Sequence, residues 1–380
     1  MLPQAEYVER VQRVSKRMEA EGFGLLLLTG ETNIEYFCGF RHHAPWTLFA
    51  RPFFQLIGAD GRSVLLVHTF LEPEAKRTSA VRDVRHYAQS GGAPVNLLMD
   101  IVAELGAAGG RIGMELGYEQ RLGISINDLR QLEIRPGVRL ADCSDLLWSL
   151  RRIKSPAEIA LLERSSYITA AAFEACFEAA RPGMTEAELG RIAAETMVQL
   201  GAERPGFILM TSGAGNYGVL SGKPTQRKLQ RGEMLWMDLG AVYGGYWSDF
   251  CRAAYFGAPS GEFDKRQAII REVNQAMTDA AHVGNTMRDV AAAGLAEFRK
   301  NGIDVELGQG RIGHGIGLMS TEPPHVALYD ETPCEEGLVF TIEPRFVNAD
   351  GVFNCEELLV VTANGPRVLT NAPREIRYIS

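Results

Sequence analysis

In the stretch Glu233-Met-Leu-Trp-Met-Asp238-Leu-Gly-Ala-Val-Tyr-Gly-Gly-Tyr-Trp-Ser-Asp249-Phe-Cys-Arg252, two apolar arms flank a glycine turn. Met234 to Ala241 is apolar except for Asp238, and the second arm, Tyr246 to Ala254, carries Asp249. Tyr243-Gly244-Gly245 is turn material, because glycine takes positive φ without a steric penalty. A turn centred between Tyr243 and Gly244 sets the two acids opposite each other on one face, their Cβ atoms roughly 5 Å apart. Two ionised carboxylates facing each other among apolar residues repel and are poorly solvated. A cation between them relieves that cost. The alternative is a hairpin in another register with both acids in solvent.

Downstream, three more residues stand in similar settings. His314 lies in Gly313-His314-Gly315-Ile316-Gly317, where the backbone can be approached closely and the ring is unshielded. Glu343 ends the apolar run Leu338-Val339-Phe340-Thr341-Ile342, and Glu356 heads Glu357-Leu-Leu-Val-Val361. Singly, each is more often a satisfied or solvated polar residue. Together, Asp238, Asp249, His314, Glu343 and Glu356 form a chemically coherent set. Four carboxylates balance two divalent cations and the imidazole adds a neutral nitrogen. Such a donor set suits manganese, iron(II), cobalt or zinc. Two such ions can share a hydroxide and polarise a substrate carbonyl.

The 380 residues are 46% hydrophobic and 23% charged, which are globular values with room for two domains. The net charge of −8 and the lack of a basic stripe argue against nucleic acid as a partner. No apolar run approaches the roughly 18 residues that cross a bilayer, and the charged N-terminus lacks a signal-peptide core. Cys38, Cys143, Cys176, Cys251, Cys334 and Cys355 are scattered, as expected of reduced thiols in a cytoplasmic protein.

Strand-like runs at Leu25–Leu28, Phe53–Ile57, Ser63–His68, Val84–Tyr87 and Arg111–Met114 alternate with helical patterns at Gln4–Gly22, Val95–Leu105 and Ile124–Leu132. This predicts an α/β N-terminal domain, residues 1–153, with a largely parallel or mixed sheet. Ser155-Pro156-Ala157-Glu158 and Thr185-Glu186-Ala187-Glu188 are capping boxes. They open an α+β domain, residues 154–380, with further helices over Glu262–Val283 and Thr286–Asn301. Its strands are expected over Gly206–Thr211, the hairpin, Leu338–Val347 and Glu357–Val361. Gly213-Ala-Gly215-Asn-Tyr217-Gly218 matches a dinucleotide-binding fingerprint, but no helical pattern opens after it. Tyr217 is kept as a substrate contact, as are His42 and His43.

The ordered motifs Met237-Asp238-Leu-Gly240, Gly245-Tyr-Trp-Ser-Asp249, Gly313-His314-Gly-Ile-Gly317, Thr341-Ile-Glu343-Pro344 and Cys355-Glu356-Glu357 resemble the pita-bread metallopeptidases. That group contains methionine aminopeptidase, aminopeptidase P, prolidase and the non-peptidase creatinase. Arg152-Ile-Lys-Ser-Pro-Ala-Glu158 and the α/β N-terminal domain resemble the aminopeptidase P and creatinase branch. The resemblance implies a pita-bread catalytic domain in which Asp238 binds one of two divalent metals and Asp249 and Glu356 bridge them. His314 and Glu343 bind the other. Glu343 or Glu356 relays a proton, which makes Glu343, Glu356 and His314 the implied catalytic group. It also implies a homodimer, with Phe40-Arg41-His42-His43-Ala-Pro-Trp46 as the segment that reaches the partner's site.

The peptidases of this branch carry further histidines that handle substrate. Their positions hold Ser221, Thr321 and Gly310 here, and Ser221, Thr321 and Glu322 are carried as candidate substrate contacts. His325 lies four residues beyond the position that Thr321 fills. Thr321-Glu322 resembles the branch containing dimethylsulfoniopropionate lyase, and Arg345 stands where relatives often have glycine. Arg345 is placed either on a substrate carboxylate or in a pair with Glu322 or Glu357. The leading expectation is a dinuclear-metal hydrolase of the Xaa-Pro peptidase or creatinase type, cleaving a C–N bond in a short peptide or small molecule. The alternatives are a metal-dependent lyase acting on a small carboxylated metabolite and an inactive binding protein on the same fold.

Overall fold

The computed structural model describes residues 2–42, 51–106, 110–305 and 310–380. It divides into two compact units, 1–151 and 152–380. The first unit runs α1 (Gln4–Glu21), β1 (Phe23–Leu28), α2 (Glu31–Cys38), β2 (Phe54–Gly58), β3 (Ser63–His68), α3 (Glu72–Thr78), β4 (Asp83–Tyr87), α4 (Val95–Glu104), β5 (Arg111–Met114), α5 (Ile126–Glu133), β6 (Arg139–Asp142) and α6 (Ser144–Arg151). Among the described residues its sheet has the order β4-β3-β2-β1-β5-β6. Antiparallel pairs β1–β2 and β2–β3 sit between parallel pairs β3–β4, β1–β5 and β5–β6, so the sheet is mixed. Leu25, Leu27, Phe54, Leu56 and Leu66 pack on Leu98, Ile101 and Leu132.

The second unit runs α7 (Pro156–Ala179), α8 (Glu186–Gln199), β7 (Arg204–Ser212), β8 (Met234–Tyr243), β9 (Tyr246–Trp247), β10 (Phe250–Phe256), α9 (Gly261–Ala280), α10 (Met287–Lys300), β11 (His314–Gly315), β12 (Glu322–His325), β13 (Val339–Ile342), β14 (Arg345–Asn348), β15 (Gly351–Asn354), β16 (Glu357–Thr362), β17 (Gly365–Val368) and β18 (Arg377–Ile379). Both predicted capping boxes form, with Ser155 and Glu158, and Thr185 and Glu188, exchanging hydrogen bonds. Alternation along β8 sends Leu235, Met237 and Leu239 to one layer with Phe173 and Leu189 of α7 and α8. It sends Met234 and Trp236 to the other, with Ile270, Val273 and Val290 of α9 and α10. Asp238 has the parity of the second face.

Two local expectations are corrected. The hairpin turn is Gly244-Gly245, closed by the Tyr243–Tyr246 pair, with φ of 59° and 85° at the two glycines. Those angles suit a two-residue turn whose twist matches the flanking strands. This register pairs Asp238 with Cys251, so Asp249 lies on the same face but on the diagonal. Diagonal neighbours are roughly 7–8 Å apart, beyond the spacing expected for a direct pair.

The run Leu338–Val347 is not one strand. The β13–β16 pairing and the β14–β15 pairing share one register, but the ladder is interrupted at Glu343-Pro344 opposite Cys355-Glu356. Proline has no amide to donate, which explains a break there. Side chains satisfy the carbonyls left at the interruption. Asn354 Nδ2 donates to Pro344 O at 2.9 Å and Gln267 Nε2 to Asn354 O at 3.3 Å. Asn274 Nδ2 donates to Cys355 O and Arg252 Nη1 to Glu356 O at 2.8 Å. The gap is therefore a built feature.

Candidate metal centre

Five side chains converge in the second unit. Asp238 comes from the middle of β8 and Asp249 from the link between β9 and β10. Glu343 and Glu356 face each other across the ladder interruption. His314 opens β11, and its amide donates to Thr341 Oγ1 at 3.3 Å. Gly313 must be glycine for this approach, since a Cβ there would lie 2.1 Å from Thr341 O.

One donor atom each from Asp249, His314 and Glu356 lie within 4.8 Å of one another. His314 Nε2 is 3.6 Å from Asp249 Oδ2 and 4.0 Å from Glu343 Oε1. Asp249, His314 and Glu356 are buried, whereas Asp238 and Glu343 keep partial exposure. The structure thus brings together all five residues of the expected ligand set. His314 Nδ1 lies 3.0 Å from Gly315 O. A carbonyl only accepts, so Nδ1 carries the proton and Nε2 presents its lone pair to the carboxylates.

The electrostatics show what this grouping lacks. Burial, then the charge of Glu343, pushes the Asp238 carboxyl up to about 7. Burial and the neighbouring acids push Asp249 and Glu356 well above the usual carboxylate range. A hydrogen bond from Asp249 to Asp238 holds Asp238 down and Asp249 up. Burial lowers His314 and favours its neutral, ligating form. Asp238 Oδ1 is buried with no hydrogen-bond partner. An orphaned buried oxygen among mutually repelling acids, beside an imidazole lone pair, fits divalent metal ions of the oxygen-preferring kind.

Several supporting residues carried no signal in the sequence. Thr341 accepts from His314 N and donates to Glu356, orienting one ligand through its backbone and another through its side chain. Arg252 is buried and spends its donors on Cys251 O, Glu356 O, Pro373 O, Ala372 O and Glu357 Oε1. Only long-range pairing reveals either role. We expect Thr341→Val to weaken metal binding roughly 10- to 100-fold with the fold retained. Competition with a chelator measures this, and unchanged affinity would remove Thr341 from the support of the site.

The remaining predicted contacts scatter. Arg345 donates to Glu343 Oε2 at 3.0 Å, which ties it to the cluster itself. Glu322 is buried 3.5 Å from Lys154 and accepts from Met319 N, a structural duty. Tyr217 is buried and its hydroxyl accepts from Met234 N at 2.9 Å, which caps a strand and leaves the ring in the core. Thr321 is half-buried beside Glu322, and Ser221 is exposed in the 213–225 turn segment, where no helix opens. His42 belongs to the first unit, while His43 and Trp46 lie outside the described residues.

The profile of metallopeptidase family M24 matches residues 160–363, and that of the creatinase/prolidase N-terminal domain matches residues 10–153. An Xaa-Pro dipeptidase of Pyrococcus horikoshii is 31% identical over 238 residues, covering 61% of this chain and 66% of that protein. This chain thus spans just under two thirds of that relative's length. The structure of dipeptidase PepE from Mycobacterium ulcerans superposes with a TM-score of 0.85 at 26% identity, covering 100% of this chain and 99% of the other. An Xaa-Pro dipeptidase from Bacillus anthracis shares the fold with a TM-score of 0.85 at 24% identity, covering 98% and 100%. The five clustered acidic and imidazole side chains therefore sit in a known frame: the chain belongs to metallopeptidase family M24, in its pita-bread aminopeptidase P and prolidase branch of metallohydrolases.

Proposed function

We propose that this metal-dependent hydrolase of the Xaa-Pro peptidase type cleaves the Xaa–Pro bond of short peptides, using two divalent ions. The observation that supports this most is the convergence of four carboxylates and one imidazole lone pair in a largely buried cluster. Asp238 would hold one ion, His314 and Glu343 the other, and Asp249 and Glu356 would serve both. The bound ions supply Lewis acidity toward the scissile carbonyl and an acidified water to attack it. Glu343 is the proton carrier on this reading. It keeps 14% side-chain exposure, within reach of substrate, whereas Glu356 is buried. Arg345 fixes one oxygen of Glu343 and leaves the other directed toward His314. Arg345 itself is a quarter exposed, and we assign it to the free carboxylate of a dipeptide as well.

The relatives named Xaa-Pro dipeptidase favour neither a lyase nor a metal-free binding protein. We place the enzyme in the cytosol, since all six cysteines are free and buried, and we expect a homodimer. No helix among the described residues is long and apolar enough to cross a membrane. The test is cleavage of an Xaa-Pro dipeptide and tripeptide panel by protein loaded with Mn²⁺, Fe²⁺, Co²⁺ or Zn²⁺, with metal counted on the same sample. We expect about two ions per chain and faster turnover of dipeptides. Two ions with no cleavage of any Xaa-Pro peptide would refute the substrate assignment, and sedimentation of the loaded protein as a monomer would refute the dimer.

A further inference from the structure

Three of the five clustered side chains come from segments that one buried carboxamide ties together. Asn354 closes β15 two residues before Glu356, pairs with Arg345 and is 1% exposed. Its Nδ2 donates at 2.9 Å to Pro344 O, the carbonyl of the residue directly after Glu343. Its Oδ1 accepts from Trp236 Nε1 at 3.1 Å and also contacts Cys251 Sγ. Trp236 lies two residues before Asp238 on β8, hence on the same face of the strand. Cys251 is the direct cross-strand partner of Asp238. One side chain thus reaches from the strand pair that carries Asp238 to the two backbone segments that carry Glu343 and Glu356.

The amide can lie only one way round. An indole N–H only donates and a carbonyl only accepts, so Oδ1 faces Trp236 and Nδ2 faces Pro344. Trp236, Asn354 and Pro344 are all buried, and turning the amide over would leave polar atoms unpaired away from water. The link also falls where the backbone ladder cannot supply one. Pro344 has no amide, and neither the β13–β16 nor the β14–β15 pairing crosses Glu343-Pro344. On the other side Glu343 N donates to Ile312 O at 3.0 Å, two residues before His314. Glu343 is thus tied to the His314 segment through backbone and to the Asp238 strand through Asn354. Gln267 Nε2 of α9 in turn holds Asn354 O at 3.3 Å.

Resting on the two-ion reading above, we propose that Asn354 is a positioning residue that sets the separation between the Asp238 side and the Glu343 side of the metal centre, and with it the spacing of the two ions. Asn354 touches neither ion nor substrate. Two ions act together on one carbonyl only at a set separation. A sheet with a gap in its ladder has no backbone bond to hold that span, whereas a buried amide with a single allowed orientation does. The role is therefore graded: loosening the amide weakens the second ion while the first finds its ligands.

The test follows Mn²⁺ binding to the wild type, Asn354→Leu and Trp236→Phe by calorimetry and electron paramagnetic resonance, with melting curves of the chelated proteins. Leucine keeps the shape of asparagine without its hydrogen bonds, and Trp236→Phe removes only the donor that fixes Oδ1. We expect the spectrum of an exchange-coupled manganese pair in the wild type. In Asn354→Leu the first ion should bind within about threefold of wild type and the second roughly 10- to 100-fold more weakly, with the coupled spectrum replaced by that of isolated ions. Trp236→Phe should show the same change to a smaller degree, and it carries the test should Asn354→Leu fail to fold. An unchanged second-ion affinity and coupled spectrum would overturn the assignment. So would equal weakening of both ions in step with the melting temperature of the chelated protein, which would make Asn354 a part of the fold alone. Failure of the two-ion reading looks different: the wild type itself then binds one ion without a coupled spectrum, and the spacing role falls with it.

Discussion

Asp249→Asn is expected to abolish tight metal binding and to lower kcat/KM roughly 10³-fold or more, while leaving the metal-free protein no less stable than the wild type. The two halves of this expectation have one origin. Asp249 Oδ2 stands 3.6 Å from His314 Nε2, and its carboxyl touches that of Asp238 and feels the charges of Glu356 and Glu343. With metal bound, that position makes it the ligand the whole cluster shares, and an amide oxygen offers no charge in exchange. Without metal, the same position is a liability. Burial and the neighbouring acids hold the Asp249 carboxyl in its neutral form there, at the expense of the ionised one. An amide of equal size is neutral at every pH and spares the metal-free fold that constraint. The reading is sharp because an ordinary destabilising variant would lower metal content and melting temperature together. Metal analysis and melting curves of chelated protein at pH 7 and above measure both arms. Retained metal with full activity would remove Asp249 from the site, and a marked fall in metal-free stability would show its role to be structural.

The sequence displayed the donors and hid their arrangement. Asp238, Asp249, His314, Glu343 and Glu356 were legible because an acid or imidazole inside an apolar or glycine-rich run is locally anomalous. Helix starts were legible for a similar reason: the cap at Ser155 is read within four residues. The hairpin register was not. Whether Asp238 faces Asp249 or Cys251 turns on which two of Tyr243, Gly244 and Gly245 form the turn, and the positive φ at both central positions favours the two glycines over tyrosine. The interruption at Glu343-Pro344 was half legible, since proline marks the break but not the partner Cys355-Glu356. The pairing of His325 with His314 was hidden, because it crosses a shifted register that counting along the chain does not show. Arg252, Asn274 and Gln267 look like ordinary strand and helix residues until the unpaired carbonyls of Asn354, Cys355 and Glu356 need donors.

The stabilisation that bound metal gives this protein should grow as pH rises from 5 to 8, because the ligand carboxylates are protonated in the metal-free fold. The folded carboxyl of Asp238 sits at about 7, raised first by burial, and those of Asp249 and Glu356 are also raised, against an unfolded value near 4. Between those limits the metal-free native state holds more protons than the unfolded chain. Its stability is therefore fully present below about pH 4 and is lost as pH climbs through the folded values, at roughly 1.4 kcal/mol per unit of separation. His314 works the other way. Burial lowers its folded value, so its contribution is present above about 6.5 and is lost as pH falls through the folded value. Three acids oppose one imidazole, and the acids set the sign. Metal demands deprotonated ligands, so binding releases protons and is favoured by rising pH. Melting temperatures with and without saturating Mn²⁺, taken as a difference at each pH, isolate this effect from other buried acids such as Glu31, which burial lifts to about 7 in the first unit. A difference that stays flat or shrinks between pH 5 and 8 would mean the acids are ionised without metal. In Asp249→Asn the difference itself should nearly vanish, which ties the pH dependence to the ligand cluster and not to the chain at large.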